Sequence, residues 1–173
     1  IYVSPVEENG EVVGSISILR DITKRKRAEE MLKVSEEKYR DLFENAYDVI
    51  WTADVVGRYT SINKMFEKSL GYKRGELIGK QLLKLVAEED REKSIQIYEK
   101  TLDGELQSYE LKIKTKNGNT RIFTLRTRSI LENEAIIGVQ GIARDITERK
   151  KAEQQREKAR KEAEFYADVL AHD

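Results

Sequence analysis

The spacing of apolar positions changes repeatedly along the chain, and each change predicts an element. Residues 1–6 and 12–19 are rich in β-branched side chains and are separated by Glu7-Glu8-Asn9-Gly10, which predicts strand, turn and strand. Over residues 24–46 the period becomes helical, with Ala28, Leu32, Ser35, Tyr39, Leu42 and Ala46 at alternating heptad spacing between mixed charges. A second hairpin is predicted from residues 48–54 and 59–62, which turn at Gly57. Gly71, Gly75 and Gly79 then break residues 63–80 into short helical pieces. A longer helix is predicted over 88–102, with Glu88, Glu89 and Asp90 complementing the dipole at its amino end and Gly104 closing it. Residues 106–115, 120–130 and 135–144 read as an antiparallel meander joined by Asn117-Gly118-Asn119 and Glu132-Asn133-Glu134. Within its first strand, Tyr109, Leu111 and Ile113 alternate with Glu110, Lys112 and Lys114, so one face is buried and the other polar. The last helix starts near Thr147 and carries Ala152, Arg156, Ala159, Ala163, Tyr166 and Leu170 at the same heptad spacing as the first.

This pattern contains a repeat. Arg-Asp-Ile-Thr occurs at Arg20 to Thr23 and again at Arg144 to Thr147, each time closing an apolar run and opening a charged helix. The match extends without a gap from Glu8-Asn9 against Glu132-Asn133 to Ala28-Glu29 against Ala152-Glu153. A period this long indicates tandem domains rather than a short-repeat solenoid. Asp21, Thr23, Arg144, Asp145, Ile146 and Thr147 are therefore candidate relay residues, with Asp145 or Thr147 capping the amides of the following helix.

Composition limits the function. The chain of 173 residues is 39% apolar and 37% charged, which fits one core of about 100 residues flanked by solvated helix. With 32 basic and 32 acidic residues interspersed, no net field draws it to nucleic acid or an anionic membrane. There is no cysteine, hence no disulfide and no thiolate metal ligand, which fits a cytoplasmic setting. No apolar stretch approaches the ~20 residues of a membrane span. Because Ile1 falls inside a strand-like segment, the expected chain continues upstream.

The order of elements resembles a PAS sensor domain. The resemblance rests on Asp48-Val49-Ile50-Trp51 leading to Asp54 and Gly57, then Ile62-Asn63, Leu70-Gly71-Tyr72 and Glu76-Leu77-Ile78-Gly79-Lys80. It continues through Lys116-Asn117-Gly118, Gly138 and Gly141-Ile142-Ala143 into the second Arg-Asp-Ile-Thr. It implies an α+β fold: a five-stranded antiparallel sheet with short helices on one face, flanked by long amino- and carboxy-terminal helices. The expected organisation is the last two strands of an upstream PAS domain at 1–23, a coiled-coil linker at 24–46, a PAS domain at 47–147, and a signalling helix at 148–173. The family further implies a small-molecule cavity between sheet and short helices, which Trp51, Phe66 and Phe123 would line or fill as packed core. Haem versions need an axial histidine and light-sensing flavin versions a cysteine, and neither residue occurs between Asp48 and Thr147. A flavin held without a covalent bond, another small organic ligand and a core filled by side chains all stay open.

The carboxy-terminal segment from Phe165 to Asp173 resembles the start of the dimerisation and phosphoacceptor helix of a sensor histidine kinase. That resemblance makes His172, the sole histidine, the phosphoacceptor and Asp173 the acid orienting its ring. It implies a homodimer through the coiled-coil helices and a response regulator as partner of the parent kinase. No glycine-rich phosphate motif is present, so no complete catalytic domain lies in this chain. The alternative is a PAS binding or dimerisation module driving another output, a nucleotide cyclase or DNA-binding regulator, with His172 a solvated end residue. A basic sheet face of Lys112, Lys114, Lys116, Arg126 and Arg128 offers an anion-binding reading. The simpler expectation pairs it with Glu29, Glu30, Glu36 and Glu37 of the first helix, within the chain or across a dimer.

Overall fold

The computed structural model describes residues 2–18 and 20–171, and the chain divides into two compact units, residues 1–41 and 42–173. In the first unit, β1 (Tyr2–Glu8) and β2 (Glu11–Ile18) form a two-stranded antiparallel sheet, followed by α1 (Thr23–Glu44), whose residues up to Asp41 belong to this unit. The hairpin turns on Asn9 and Gly10, both at positive φ, the backbone that a two-residue primed turn demands. Its repeat equivalent, Asn133-Glu134, turns the same way, so the hairpin geometry is repeated with glutamate in place of glycine.

The second unit is built on one five-stranded sheet of order β4-β3-β7-β6-β5, every neighbouring pair antiparallel. Its strands are β3 (Val49–Asp54), β4 (Tyr59–Ile62), β5 (Gln107–Lys114), β6 (Thr120–Glu132) and β7 (Ala135–Asp145). Period-two alternation turns Val49, Trp51, Ala53, Leu111, Phe123, Leu125, Val139 and Ala143 onto one buried face. Against that face pack α2 (Lys64–Leu70), α3 (Arg74–Leu77) and α4 (Arg91–Leu102), bringing Phe66, Leu70, Leu77 and parts of Tyr98 and Leu102 to the core. Thr101 and Thr127, both buried, join α4 to β6 with their hydroxyls 3.0 Å apart. Helix α5 (Thr147–Ala171) leaves the end of β7. The fold is the one expected, an α+β sheet with short helices on one face.

Two glycines of β7 make its pairing with β3 possible. A Cβ at Gly138 would lie 2.2 Å from the carbonyl oxygen of Ala53, and one at Gly141 would lie 2.2 Å from the Trp51 ring. The strand bears no side chain where its neighbour's backbone and indole occupy the space.

Two helix boundaries differ from expectation. The helix expected over 88–102 begins as a 3-10 turn at Glu88–Asp90, with α4 proper starting at Arg91. The segment ahead of it is held against β5, where Ala87 donates to the Lys112 carbonyl at 2.8 Å and Lys114 to that of Leu85 at 2.7 Å. Asp90 and Glu89 bond to the Lys112 amide and ammonium at 2.7 and 3.2 Å, so these acids serve β5 as well as the helix dipole. The helix expected to reach Ala46 ends at Glu44; residues 42–44 belong to the second unit, where the Phe43 carbonyl and Glu44 carboxylate accept from Asn63 and Lys64.

Candidate functional site

The strand-to-helix exit is a network of short bonds. Ile146 is the last buried residue of the sheet domain, 5% exposed, and its amide donates to the Ile122 carbonyl at 2.9 Å. One carboxylate oxygen of Asp145 accepts the Thr147 amide at 2.9 Å and its hydroxyl at 2.6 Å, and the other accepts Arg121 at 2.9 Å. The Thr147 hydroxyl in turn accepts the Ile122 amide at 3.0 Å. Thus Asp145 caps α5, and the Thr147 hydroxyl bound to it also ties the helix start to β6. Partial burial works against the Asp145 charge, but bonds from Thr147 and Arg121 outweigh it and hold the carboxyl below the usual range. One turn on, Lys150 meets Glu110 of β5 at 2.9 Å.

The sheet domain's entrance is tied as firmly. Fully buried Asn63 donates from its side-chain nitrogen to the carbonyls of Phe43 and Asp48, at 3.1 and 3.0 Å. Its side-chain oxygen accepts the amides of Ile50 and Phe66, both at 3.0 Å. Both ends of the amide group are doubly used, so Asn63 caps α2, starts β3 and holds the last turn of α1 at once. Glu44 accepts the Lys64 amide at 3.0 Å and the Arg74 guanidinium at 2.5 Å.

Entrance and exit meet at Asp48. Its backbone carbonyl belongs to the Asn63 cluster, while its carboxylate takes a two-pronged bond from Arg144, at 2.9 and 2.8 Å. The Arg144 bond holds the Asp48 carboxyl below its usual range despite partial burial. Sequence reasoning found Arg144, Asp145, Ile146 and Thr147 but missed Glu44, Asp48, Asn63 and Arg74 as a joint. An asparagine ahead of a helix is a legible cap signal; its bonds to residues twenty and fifteen positions earlier are not.

Trp51, Phe66 and Phe123 do converge on the interior between sheet and short helices. Tyr59 stands edge-on between Trp51 and Phe66, with ring centroids 6.1 and 5.4 Å away, and Phe123 is 1% exposed. The packing leaves about 40 Å³ there, space on the scale of one water molecule. These aromatic side chains fill the interior. Among the described residues, no group of three or more histidines, cysteines and acids is placed to hold a metal ion.

Asp21 accepts the Thr23 amide at 2.9 Å in the first unit. His172 and Asp173 lie outside the described residues. On the basic face Lys112 pairs with Glu89, Lys116 with Glu76 at 2.6 Å, and Arg128 with Gln140 at 2.8 Å, all within the second unit. Nearby acids and amides reach these cations at shorter chain distance and lower entropic cost.

Residues 37–146 match the family described as PAS fold. The chain belongs to it. Bacillus subtilis sporulation kinase E is 31% identical to it over 143 residues, which are 81% of this chain and 18% of that kinase. A blue-light-activated histidine kinase of Brucella ovis is 26% identical over 167 residues, 88% of this chain and 34% of that protein. The chain thus spans between about a fifth and a third of these relatives. Among solved structures, the PAS domain of an HTR-like protein from Haloarcula marismortui superposes with a TM-score of 0.63 at 24% identity, over 70% of this chain and all of that one. A domain of a sensory box sensor histidine kinase/response regulator from Geobacter sulfurreducens gives 0.58 at 27% identity, over 66% of this chain and 96% of its own. PAS residues 37–146 start within α1 and end at Ile146, so the matched region includes the entrance joint and stops one residue short of Thr147 at the exit.

Proposed function

We propose that this PAS sensory domain relays a conformational signal through α5 to His172, the phosphoacceptor of a two-component sensor histidine kinase. Asp173 orients the ring and a response regulator receives the phosphate. The observation that supports this reading is the shared network at the exit: the Thr147 hydroxyl that donates to Asp145, the residue capping α5, also accepts the Ile122 amide of β6. A shift of β6 against β7 therefore moves the first turn of α5, with no Gly or Pro before the end of the chain to absorb it. The kinase relatives support the output.

The helices act in a homodimer. Leu32 and Leu42 of the α1 seam are 61% and 65% exposed, which supports pairing with the same stripe of a second copy. In the α5 seam Ala152, Ala159 and Ala163 pack little and Arg156 is costly there, so alternative registers differ by only a few kcal/mol.

The test is autophosphorylation of the full-length protein that carries this chain. A one-residue insertion near Ala159 rotates everything beyond it by about 100° and is expected to uncouple activity from the stimulus. Unchanged activity and regulation would sink the relay. His172→Gln is expected to abolish phosphate incorporation, and retained incorporation would favour a different output domain.

A further inference from the structure

A second concavity lies outside the packed interior. Between the β3–β4 turn and α4 the surface opens a cleft of about 230 Å³. Its walls are mainly apolar: Val55 and Val56 on the turn, Leu82 and Leu83 on the 3-10 segment, Ile95 and Leu102 on α4. Val55, Val56 and Ile95 are 47%, 60% and 43% exposed. Singly, exposed aliphatic side chains are ordinary; gathered around a concavity they mark a place where an apolar body gains by leaving water. The cleft is also held open by design of the chain. The Tyr98 hydroxyl donates to the Asp54 carbonyl, fixing α4 to the turn. At Gly57, φ is 79°, and a Cβ there would come within 3.3 Å of the Gln81 side-chain oxygen and 3.9 Å of the Tyr98 ring.

The polar groups at the lining are few. They are the Ser94 hydroxyl, the Gln81 amide, the Tyr98 hydroxyl already bonded to Asp54, and the Glu99 carboxylate, and Glu99 is the one charged residue among the lining residues. Its carboxylate forms no ion pair among the described residues. Volume sets the size of an occupant: an apolar cavity of about 150 Å³ holds benzene, so this cleft suits one aromatic ring with a short substituent. Charge sets its chemistry. We propose that the cleft is a binding site for a small aromatic amine, its ring between Leu82 and Ile95 and its ammonium at Glu99. Leu82 also lines the interior space next to Trp51 and Phe66, so the occupant would rest on a side chain shared with the core. The inference concerns binding and stands whether or not α5 relays a signal.

The experiment is an amide-shift NMR titration of the 173-residue chain with phenethylamine, and with 2-phenylethanol as its neutral counterpart. The expected result is saturable shifts confined to residues 55–57, 82–83 and 94–102, with Kd below about 1 mM and binding of the alcohol weaker by about threefold or more. Glu99→Gln should bring the amine down to the alcohol's affinity, and Ser94→Trp, which fills the cleft, should abolish both. If that variant loses the amide dispersion of β5 to β7, Val56→Trp serves as the filling variant. Shifts centred on Trp51, Phe66 and Phe123, or no saturation by about 10 mM amine, overturn the site. Equal affinity for the alcohol overturns the assignment of an amine.

Discussion

In both copies of Arg-Asp-Ile-Thr the aspartate accepts the threonine amide at 2.9 Å, and the amide four residues after isoleucine returns to its carbonyl at 2.9 Å. The turn from strand to helix is therefore written in four residues and needs nothing else. Beyond that turn the copies part. Ile146 is 5% exposed and Ile22 46%. Asp145 has Arg121 and Arg144 has Asp48, whereas the first copy follows a two-stranded sheet and shows no such pair among the described residues. What distinguishes a cap from a joint is the strand lying beside it.

The largest test of that difference is at the glycines of the repeat. Gly14 and Gly138 are equivalent positions, but a Cβ at Gly14 meets nothing within 4 Å while one at Gly138 strikes the Ala53 backbone. Gly138→Ala is expected to cost about 3 kcal/mol or more in urea unfolding followed by Trp51 fluorescence. Gly14→Ala should stay within about 0.5 kcal/mol, read by amide exchange of Val12 and Val13. Similar costs at both positions would mean that the two strands are covered alike. At the position equivalent to Gly141 the first copy has Ser17, so an indole packed as Trp51 is would not fit against it.

Next in size is the isoleucine. Ile146→Ala should destabilise the sheet domain by about 2–4 kcal/mol through lost burial and a residual cavity, and Ile22→Ala by under about 0.5 kcal/mol. Thr147→Val follows, at about 1–2 kcal/mol, because it removes the hydroxyl bond to Asp145 and leaves the Ile122 amide without its acceptor, while the capped amide is kept. Thr23→Val keeps the capped amide, loses only the hydroxyl bond to Asp21 and is expected to cost about half as much. Thermal or urea midpoints of the paired variants check both. Equal losses at Thr23 and Thr147 would show that the cross-strand bond adds nothing to the cap.

These contrasts also explain how much was legible in the residues. Period-two alternation in β5 and the paired turns at Asn9 and Asn133 are local, and local rules find them. The repeat itself exposed the exit, since only a shared role keeps Arg-Asp-Ile-Thr in the same register before two helices. The entrance was hidden because its bonds cross chain distances that no periodicity encodes: Glu44 to Arg74, Asn63 to Phe43, Asp48 to Arg144. The late start of α4 was hidden for a related reason, because the acids that complement a helix dipole also suit the exposed amide of a neighbouring strand.

The smallest effect addresses whether entrance and exit are coupled or merely adjacent. Asp48 and Arg144 are 28% and 69% exposed at their side chains, so the pair is partly screened and its coupling in a double-mutant cycle should be about 0.5–1 kcal/mol. The cycle uses Asp48→Asn and Arg144→Gln, singly and together. Because the folded carboxyl titrates below its unfolded value, the pair's contribution is present above about pH 4 and fades as pH falls through the folded pKa. Asp48→Asn should therefore flatten the acid limb of the stability curve and leave the difference between the Arg144 forms independent of pH. Asp145 titrates in the same direction and continues to set the remaining slope, which Arg121→Gln would reduce. A coupling that persists undiminished once the Asp48 carboxyl is protonated would place the attraction elsewhere than in its charge, and the two joints would then touch without sharing an electrostatic bond.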